Sequence, residues 1–405
     1  SPMSEHLADI RNDSLVLLFD LKDSFHQLNL SSATDARGRC AKDLFAFYSF
    51  IPGYVYGRNC KAVMGQTTSS DSCAFVFRSI VETVNLTPVE SSIQEFDQMI
   101  EEYEEKGALN EQNATPWQSK AFLDDNAIQS PLETKDLRKL NLKEDSFFKK
   151  PSNAEEEAVY LHLNLLSKIF RRMEHHNLLI SPAKMDLLAS FSNFKYLGFQ
   201  FTRVDKRLHT SMPEKKIKTL LDFEQPNSIK SLQSWIGFVS FFSCMLQDGK
   251  ILLSPYLKML RKEVPFKWGD LEQKNFELIK TRLSTACLEG YNELLSSTKE
   301  FEVIIFTDWS KNDRSASGCV FIKNYDTKTM KIAFFWSKML SQTFHQKAPF
   351  LCELAAATCC ILSLKSIIGG RAILCYLDNL TACRILQQGL KNCDEFSNGV
   401  LHRLL

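Results

Sequence analysis

At 405 residues the chain is too long for one comfortable hydrophobic core, and about two to four domains are expected. Apolar residues make up 44% and charged residues 24%, a composition ordinary for a soluble globular protein. The net charge of +1 excludes a strong overall field for a polyanionic partner, so any nucleic-acid groove has to come from local patches.

In chain order, LVLLF (residues 15 to 19) is a short apolar run closing at Asp20, as a buried strand would. Asp20 and Asp23 lead into the amphipathic SFHQLNL, and the stretch from Thr67 to Val84 reads as a Ser-capped helix with Ala74, Phe75, Phe77 and Ile80 on its apolar face. AFLDDNAI reads as strand, turn and strand, between two polar surface insertions near residues 90–118 and 131–156. A helix is expected from Ala158 to about His175, with Leu161, Leu165 and Ile169 at helical spacing, and the adjacent His175 and His176 read as its solvated end.

FKYLGFQFT alternates as a hairpin strand would. Residues from Pro213 to Leu246 read as helical, with Ile229, Leu232, Ile236 and Val239 on one face. The longest strongly apolar stretch, WIGFVSFFSCML (235 to 246), is shorter than the ~20 residues of a membrane span and reads as a buried helix, so no membrane partner is expected. A linker-like region with Pro255 and Pro265 precedes a last block from about Phe301: strands FEVIIFTD, SGCVFIKN and KIAFFWS, helix LCELAAATCCILSLKSI, then strand AILCYLD. The twelve cysteines include no C-x-x-C pair and no Cys/His zinc spacing. Cys359, Cys360 and Cys375 lie in apolar runs, where reduced cysteine behaves as a small hydrophobe, so a reducing, intracellular setting is expected.

AFLDDNAI poses a chemical question: why two adjacent carboxylates, Asp124 and Asp125, follow an apolar run. Alone, Asp-Asp-Asn is ordinary turn chemistry. If the strand closing at Asp20 neighbours this hairpin, however, three carboxylates meet at one sheet edge and repel unless cations neutralise them. Hard oxygen ligands with no histidine or thiolate nearby point to Mg²⁺, with Mn²⁺ as the alternative. Two such ions ~3.5–4 Å apart can activate an attacking oxygen and stabilise a leaving one.

FDLKDSFHQLNL, MGQTTSSDSCAFVF, AFLDDNAI, ISPAKMD and FKYLGF, in that order, resemble the motif series of reverse transcriptases. The downstream KIKTLLDFEQPNSIKSLQSWIGFVSFF and PFKWGDLEQKNFELIKTRLSTACLEGY are similar to the thumb and connecting region of gypsy-class long-terminal-repeat retrotransposons and retroviruses. The resemblance implies an α+β fold with four parts. They are a right-hand polymerase palm with partial fingers over 1–210, a helical thumb over 211–262, a connection over 263–300, and an α/β ribonuclease H-like domain over 301–405. It implies that Asp20 and Asp124 carry two divalent ions and that Asp125 supports them. Phe25 falls where the family keeps a ring against the sugar 2′ position, Gly65 and Gln66 at a template and nucleotide turn, and Lys184 near the triphosphate. Tyr196, Leu197 and Gly198 match the hairpin that grips the primer end. Asp308, Glu353 and Asp378, as strand-end, helix and strand-end acids, resemble a ribonuclease H site that would hold its own metal pair.

The implied activity is RNA-directed DNA synthesis with ribonuclease H cleavage. Its partners would be an RNA template, a DNA primer, the RNA–DNA hybrid and deoxynucleoside triphosphates; Lys215, Lys216, Lys218 and Lys230 are phosphate-contact candidates. A cytoplasmic, retroelement-particle location is implied, and a homodimer is left open. Departures from the pattern are Gln66 to Ser70 after Gly65, Trp309 after the first nuclease aspartate, and a chain that opens shortly before Asp20 and stops before a fourth nuclease acid. An internal section of a polyprotein is therefore expected, with the C-terminal domain incomplete. The competing reading is an inert or repurposed retroelement remnant that binds nucleic acid without catalysis.

Overall fold

The computed structural model describes residues 10–20, 46–48, 56–58, 81, 118–122, 125–133, 150–176, 178–205, 207–262, 264–296, 301–310, 315–339, 348–364 and 373–388. Of the expected site residues, Phe25, Gly65, Gln66 and Asp124 lie outside them, as do most of the helix expected over Thr67–Val84 and most of both insertions. The fold is α+β. The chain divides into two compact units, residues 13–192, and residues 1–12 with 193–405.

In the unit of residues 13–192, β1 (Ser14–Asp20) pairs antiparallel with β5 (Asp125–Pro131), which pairs in turn with β4 (Gln118–Phe122). A separate two-stranded ladder joins β2 (Ala46–Tyr48) and β3 (Tyr56–Arg58). The other edge of β1 is also taken. Leu18 and Asp186 exchange two backbone hydrogen bonds (2.9 and 2.8 Å), and the Ser181 N–H donates to the Asp20 carbonyl. LVLLF is apolar without alternation because Leu15, Val16, Leu17 and Phe19 are all buried.

Helix α1 (Ala154–His175) supplies one cover. Asn153 caps it by accepting the Glu156 N–H at 2.9 Å, and Glu155, Glu156 and Glu157 in the first turn complement the positive end of the helix dipole. Its Leu165, Leu166, Ile169 and Met173 pack with Leu17, Phe19, Ile128 and Val81, and each fully buried side chain stabilises by about 1.5–3 kcal/mol. His175 and His176 stack edge to face at the helix end, 5.1 Å apart.

Also in this unit, the wholly buried His162 of α1 joins two further elements. Its Nδ1 lies 2.5 Å from Ser130 Oγ of β5 and its Nε2 lies 3.3 Å from the Leu187 carbonyl. A neutral ring protonated at Nε2 satisfies both contacts: the serine hydroxyl donates to Nδ1, and Nε2–H donates to the carbonyl.

The other unit begins its main run with the hairpin β6 (Phe194–Tyr196) and β7 (Phe199–Val204), continued by β8 (Arg207–Ser211). Residues 213–246, expected as one helical stretch, form two helices instead: α2 (Glu214–Leu221) and α3 (Ile229–Phe241). Pro226 lies in the break, and Ser228 and Ser231 cap α3 reciprocally. Leu232, Ile236 and Val239 are buried as expected, but Ile229, in the first turn, is exposed.

The linker expected around Pro255 and Pro265 is instead structured. It contains α4 (Gly249–Met259), with Pro255 inside it, then α5 (Asp270–Ser284), β9 (Cys287–Leu288) and α6 (Tyr291–Leu294). Trp235 sits between Phe223 and Phe276 (ring centroids 5.1 and 4.5 Å), so α3 and α5 share one aromatic core. β9 adds to β8, giving the sheet order β6-β7-β8-β9.

The last block is a sheet of order β12-β11-β10-β13, formed by β10 (Phe301–Ser310), β11 (Ser315–Asn324), β12 (Met330–Met339) and β13 (Ile373–Tyr376). β10 and β13 run parallel, and the other pairs are antiparallel. The connection to β13 includes α7 (Pro349–Ser363), which packs on β10 and β11 and is nearly all buried from Leu351 to Thr358. α8 (Leu380–Gln388) follows.

The environment of His162 sets an acid response. Burial lowers its pKa from 6.5 to about 4, opposed weakly by the Leu187 carbonyl. The folded form therefore favours the neutral ring, and the stability this contributes is complete above 6.5 and lost as pH falls toward about 4, up to about 3 kcal/mol. Chemical denaturation across this range should show that loss, and His162→Gln should flatten it.

Candidate active sites

The first candidate site lies where β1 ends and β5 begins. The antiparallel register sets Asp20 directly opposite Asp125, after six further pairs from Ser14↔Pro131 to Phe19↔Asn126. Phe122 of β4 also pairs with Asp125. Asp124 is bonded to Asp125 but is itself outside the described residues. Asp125 is exposed at the sheet end, while Asp20 is partly covered.

Lys184 stands on the same strand end. It closes a 3-10 turn (Pro182–Lys184) on the segment that lines the β1 edge, and its Nζ lies 2.5 Å from Asp20 Oδ2. The residues are 164 apart in sequence, and no local pattern announced the pairing.

Tyr196, Leu197 and Gly198 lie at the β6–β7 hairpin in the other unit. Leu197 and Gly198 both have positive φ (47° and 81°), the requirement of the tight turn whose twist matches its strands. Gly198 is needed twice over, because a Cβ there would also stand 2.9 Å from the Phe241 ring. Leu197 takes the unfavourable left-handed conformation yet is buried, so packing offsets the backbone cost. Lys215, Lys216 and Lys218 on α2 and Lys230 on α3 are all exposed, with Lys216 Nζ 6.0 Å from the centre of the Phe238 ring.

The second candidate site is set by the parallel pairing of β10 and β13. Phe306 and Tyr376 are partners, and two residues further along each chain stand Asp308 and Asp378. Asp308 lies within β10, and Asp378 lies just beyond β13, which stops at Tyr376 short of the expected strand end. Glu353, one turn into α7, completes the group: ligand oxygens of all three acids lie within 4.8 Å of one another. Glu353 is buried while both aspartates are exposed. Burial, then the charges of Asp378 and Asp308, push its pKa from 4.5 up to about 7, and the Trp309 N–H acts in the opposite direction. Sequence reading noted Trp309 as a departure but had no means of finding this backbone contact.

This donor set fits a hard divalent cation. It offers only oxygens, they converge, and Oε2 of Glu353 is buried without a hydrogen-bond partner. Asp308, Glu353 and Asp378 would hold such an ion.

No family model matches the chain. It is 25% identical over 210 residues to the retrovirus-related Pol polyprotein from transposon 412 of Drosophila melanogaster, covering 52% of the chain and 16% of that polyprotein. It is 23% identical over 178 residues to the transposon Tf2-3 polyprotein of Schizosaccharomyces pombe, covering 44% and 12% respectively. Among solved structures it superposes on the foamy viral protease-reverse transcriptase dRH in complex with double-stranded DNA. That match has a TM-score of 0.64 at 14% identity over 99% of this chain and 57% of the other. The foamy viral protease-reverse transcriptase in complex with an RNA/DNA hybrid gives 0.60 at 14% identity over 98% and 44%.

The chain has a reverse-transcriptase fold. Its homologues are Pol polyproteins of retroelements, of whose length it spans the small fractions given. In this reverse-transcriptase fold, the carboxylates around Asp20 and around Glu353 occupy the two units separately.

The proton on Glu353 gives a test of the second site. In ion-free protein, its raised pKa contributes stability below about 4.5 that is lost as pH rises through about 7. A divalent ion requires the charged form, so added Mg²⁺ should raise the melting temperature most at and above that upper value. Melting curves with and without Mg²⁺ across this range check both trends, and Glu353→Gln should remove them.

Proposed function

We propose that this chain is the reverse transcriptase and ribonuclease H section of a long-terminal-repeat retroelement Pol polyprotein. It extends a DNA primer on an RNA template from deoxynucleoside triphosphates and cuts the RNA strand of the resulting hybrid. The observation that carries the reading is the register of β1 on β5, which sets the strand-end Asp20 opposite the second acid of the Asp-Asp pair. In this reading, residues 1–210 form the palm with partial fingers, 211–262 the thumb, 263–300 the connection and 301–405 the nuclease.

Asp20 and Asp124 bind the cations of the polymerase site, and Asp125 supports their geometry. Bound Mg²⁺ or Mn²⁺, two ions per site, supplies charge neutralisation and activation of the attacking oxygen. Phe25 lies against the sugar and selects deoxynucleotides, and Gly65 and Gln66 line the template and nucleotide turn. Tyr196, Leu197 and Gly198 position the primer end on a rigid hairpin, so that its 3′-hydroxyl meets the α-phosphate in line. Lys215, Lys216, Lys218 and Lys230 contact phosphates, making hybrid binding fall steeply with salt. At the second site Asp308, Glu353 and Asp378 orient the scissile RNA phosphate for attack by water.

Two variants separate the activities. Asp124→Asn should lower Mg²⁺-dependent primer extension on an RNA template by on the order of a hundredfold or more, leaving hybrid-strand degradation near wild type. Glu353→Gln should do the reverse. Absence of both activities from the full polyprotein section under these conditions would replace this reading with that of a non-catalytic remnant.

A further inference from the structure

We propose that Trp309 and Lys338 grip the nucleic-acid strand that the second acid group cuts. The indole packs against sugar and base edges beside the scissile phosphate, and the ammonium meets a phosphate further along the same strand. This rests on the ribonuclease H reading above and deepens it with two substrate contacts.

Strand register places the two side chains on one face of the sheet. Thr307, Gly318 and Trp336 are partners across β10, β11 and β12. Their row faces α7: the Trp336 indole donates to Ser363 Oγ at 3.2 Å, and a Cβ on Gly318 would lie 3.4 Å from Cys360 Sγ. Two residues along each strand, on the far side of Asp308, stand Trp309, Ala316 and Lys338 as the next row of partners. Alternation puts this row on the same face. Trp309 is half-buried, Ala316 is fully buried and Lys338 is exposed. A single methyl group therefore separates the indole from the ammonium, whose backbones stand two strand spacings, about 10 Å, apart.

Position and surroundings mark the indole for a ligand. Trp309 follows Asp308 in the chain, and its N–H is the backbone contact that acts on Glu353, so the residue is held to two of the three acids. The other described tryptophans are engaged within the fold. Trp235 lies between Phe223 and Phe276, Trp268 stacks on Tyr256 and donates to Gln273, and Trp336 donates to Ser363. Among the described residues the Trp309 indole makes no hydrogen bond or ring contact, and Lys338 makes no ion pair. Three converging carboxylates repel a phosphodiester, so grip on a substrate has to come from neutral and positive groups beside them. The indole supplies apolar area with a donor at its edge, and the ammonium supplies charge. A nucleic-acid strand offers the complement of both, sugar and base edges with regularly spaced phosphates.

The test uses the whole chain and a short RNA/DNA hybrid. In Glu353→Gln protein, which leaves the hybrid uncut, binding should quench tryptophan fluorescence, and adding Trp309→Phe should remove that quenching. In protein with its acids intact and Mg²⁺ present, Trp309→Ala should raise the KM for hybrid cleavage on the order of tenfold with kcat nearly unchanged. Trp309→Phe, which keeps a ring, should return KM close to wild type. Lys338→Gln should lower the slope of log affinity against log salt by about one. If Trp309→Ala does not fold, Trp309→Leu serves in its place. Wild-type KM in a folded Trp309→Ala or Trp309→Leu protein, or quenching that survives Trp309→Phe, overturns the proposal and leaves the ribonuclease H reading intact. Wild-type protein that neither cuts nor binds the hybrid overturns both.

Discussion

Two unit charges about 4 Å apart repel by about 4 kcal/mol at an effective dielectric of about 20, so converging carboxylates hold their places only on a backbone that cannot yield. Both acid groups of this protein meet that condition. β1 is buried along its length, paired with β5 on one edge and bonded to the 181–186 segment on the other, before it delivers Asp20 to its end. β10 lies between β11 and β13 beneath α7, and delivers Asp308 beside Glu353 and Asp378. The hydrophobic strands are thus part of the electrostatics, because burial behind the acids opposes their separation.

The two groups relieve their repulsion differently. At the palm end a lysine ammonium borrowed from a distant turn sits on Asp20. At the second site the relief is a proton, since burial and two neighbouring aspartates raise Glu353 to about 7. At the second site, a divalent ion would take the place of that proton. A shared demand for positive charge links the two acid groups.

Much of this was legible in the residues. The uninterrupted apolar run before Asp20 marked a buried strand, FEVIIFTD marked β10, and the spacing of Leu165 and Ile169 marked α1. The errors have physical causes. Pro255 was read as a linker residue, but Leu252, Leu253, Tyr256 and Met259 are all buried on α4, and that packing outweighs one missing N–H. The helical stretch expected from Pro213 to Leu246 is broken in two, where Pro226 precedes the Ser228 cap. The strand before Asp378 stops early, at Tyr376, and leaves the acid just past the sheet.

Sequence alone determined which residues could serve: the order of the acidic motifs, the apolar strands that precede them, and the oxygen-only character of their ligands. Tertiary structure alone decided which of them meet. Asp20 and Lys184 are joined across 164 residues, and Asp308, Glu353 and Asp378 come from a strand, a helix and the exit of a second strand. Periodicity is a local property, set by the turn of a helix or the pleat of a strand. Coulomb attraction, repulsion and desolvation depend instead on distance through space and on what lies between the charges, and only the packed fold sets those.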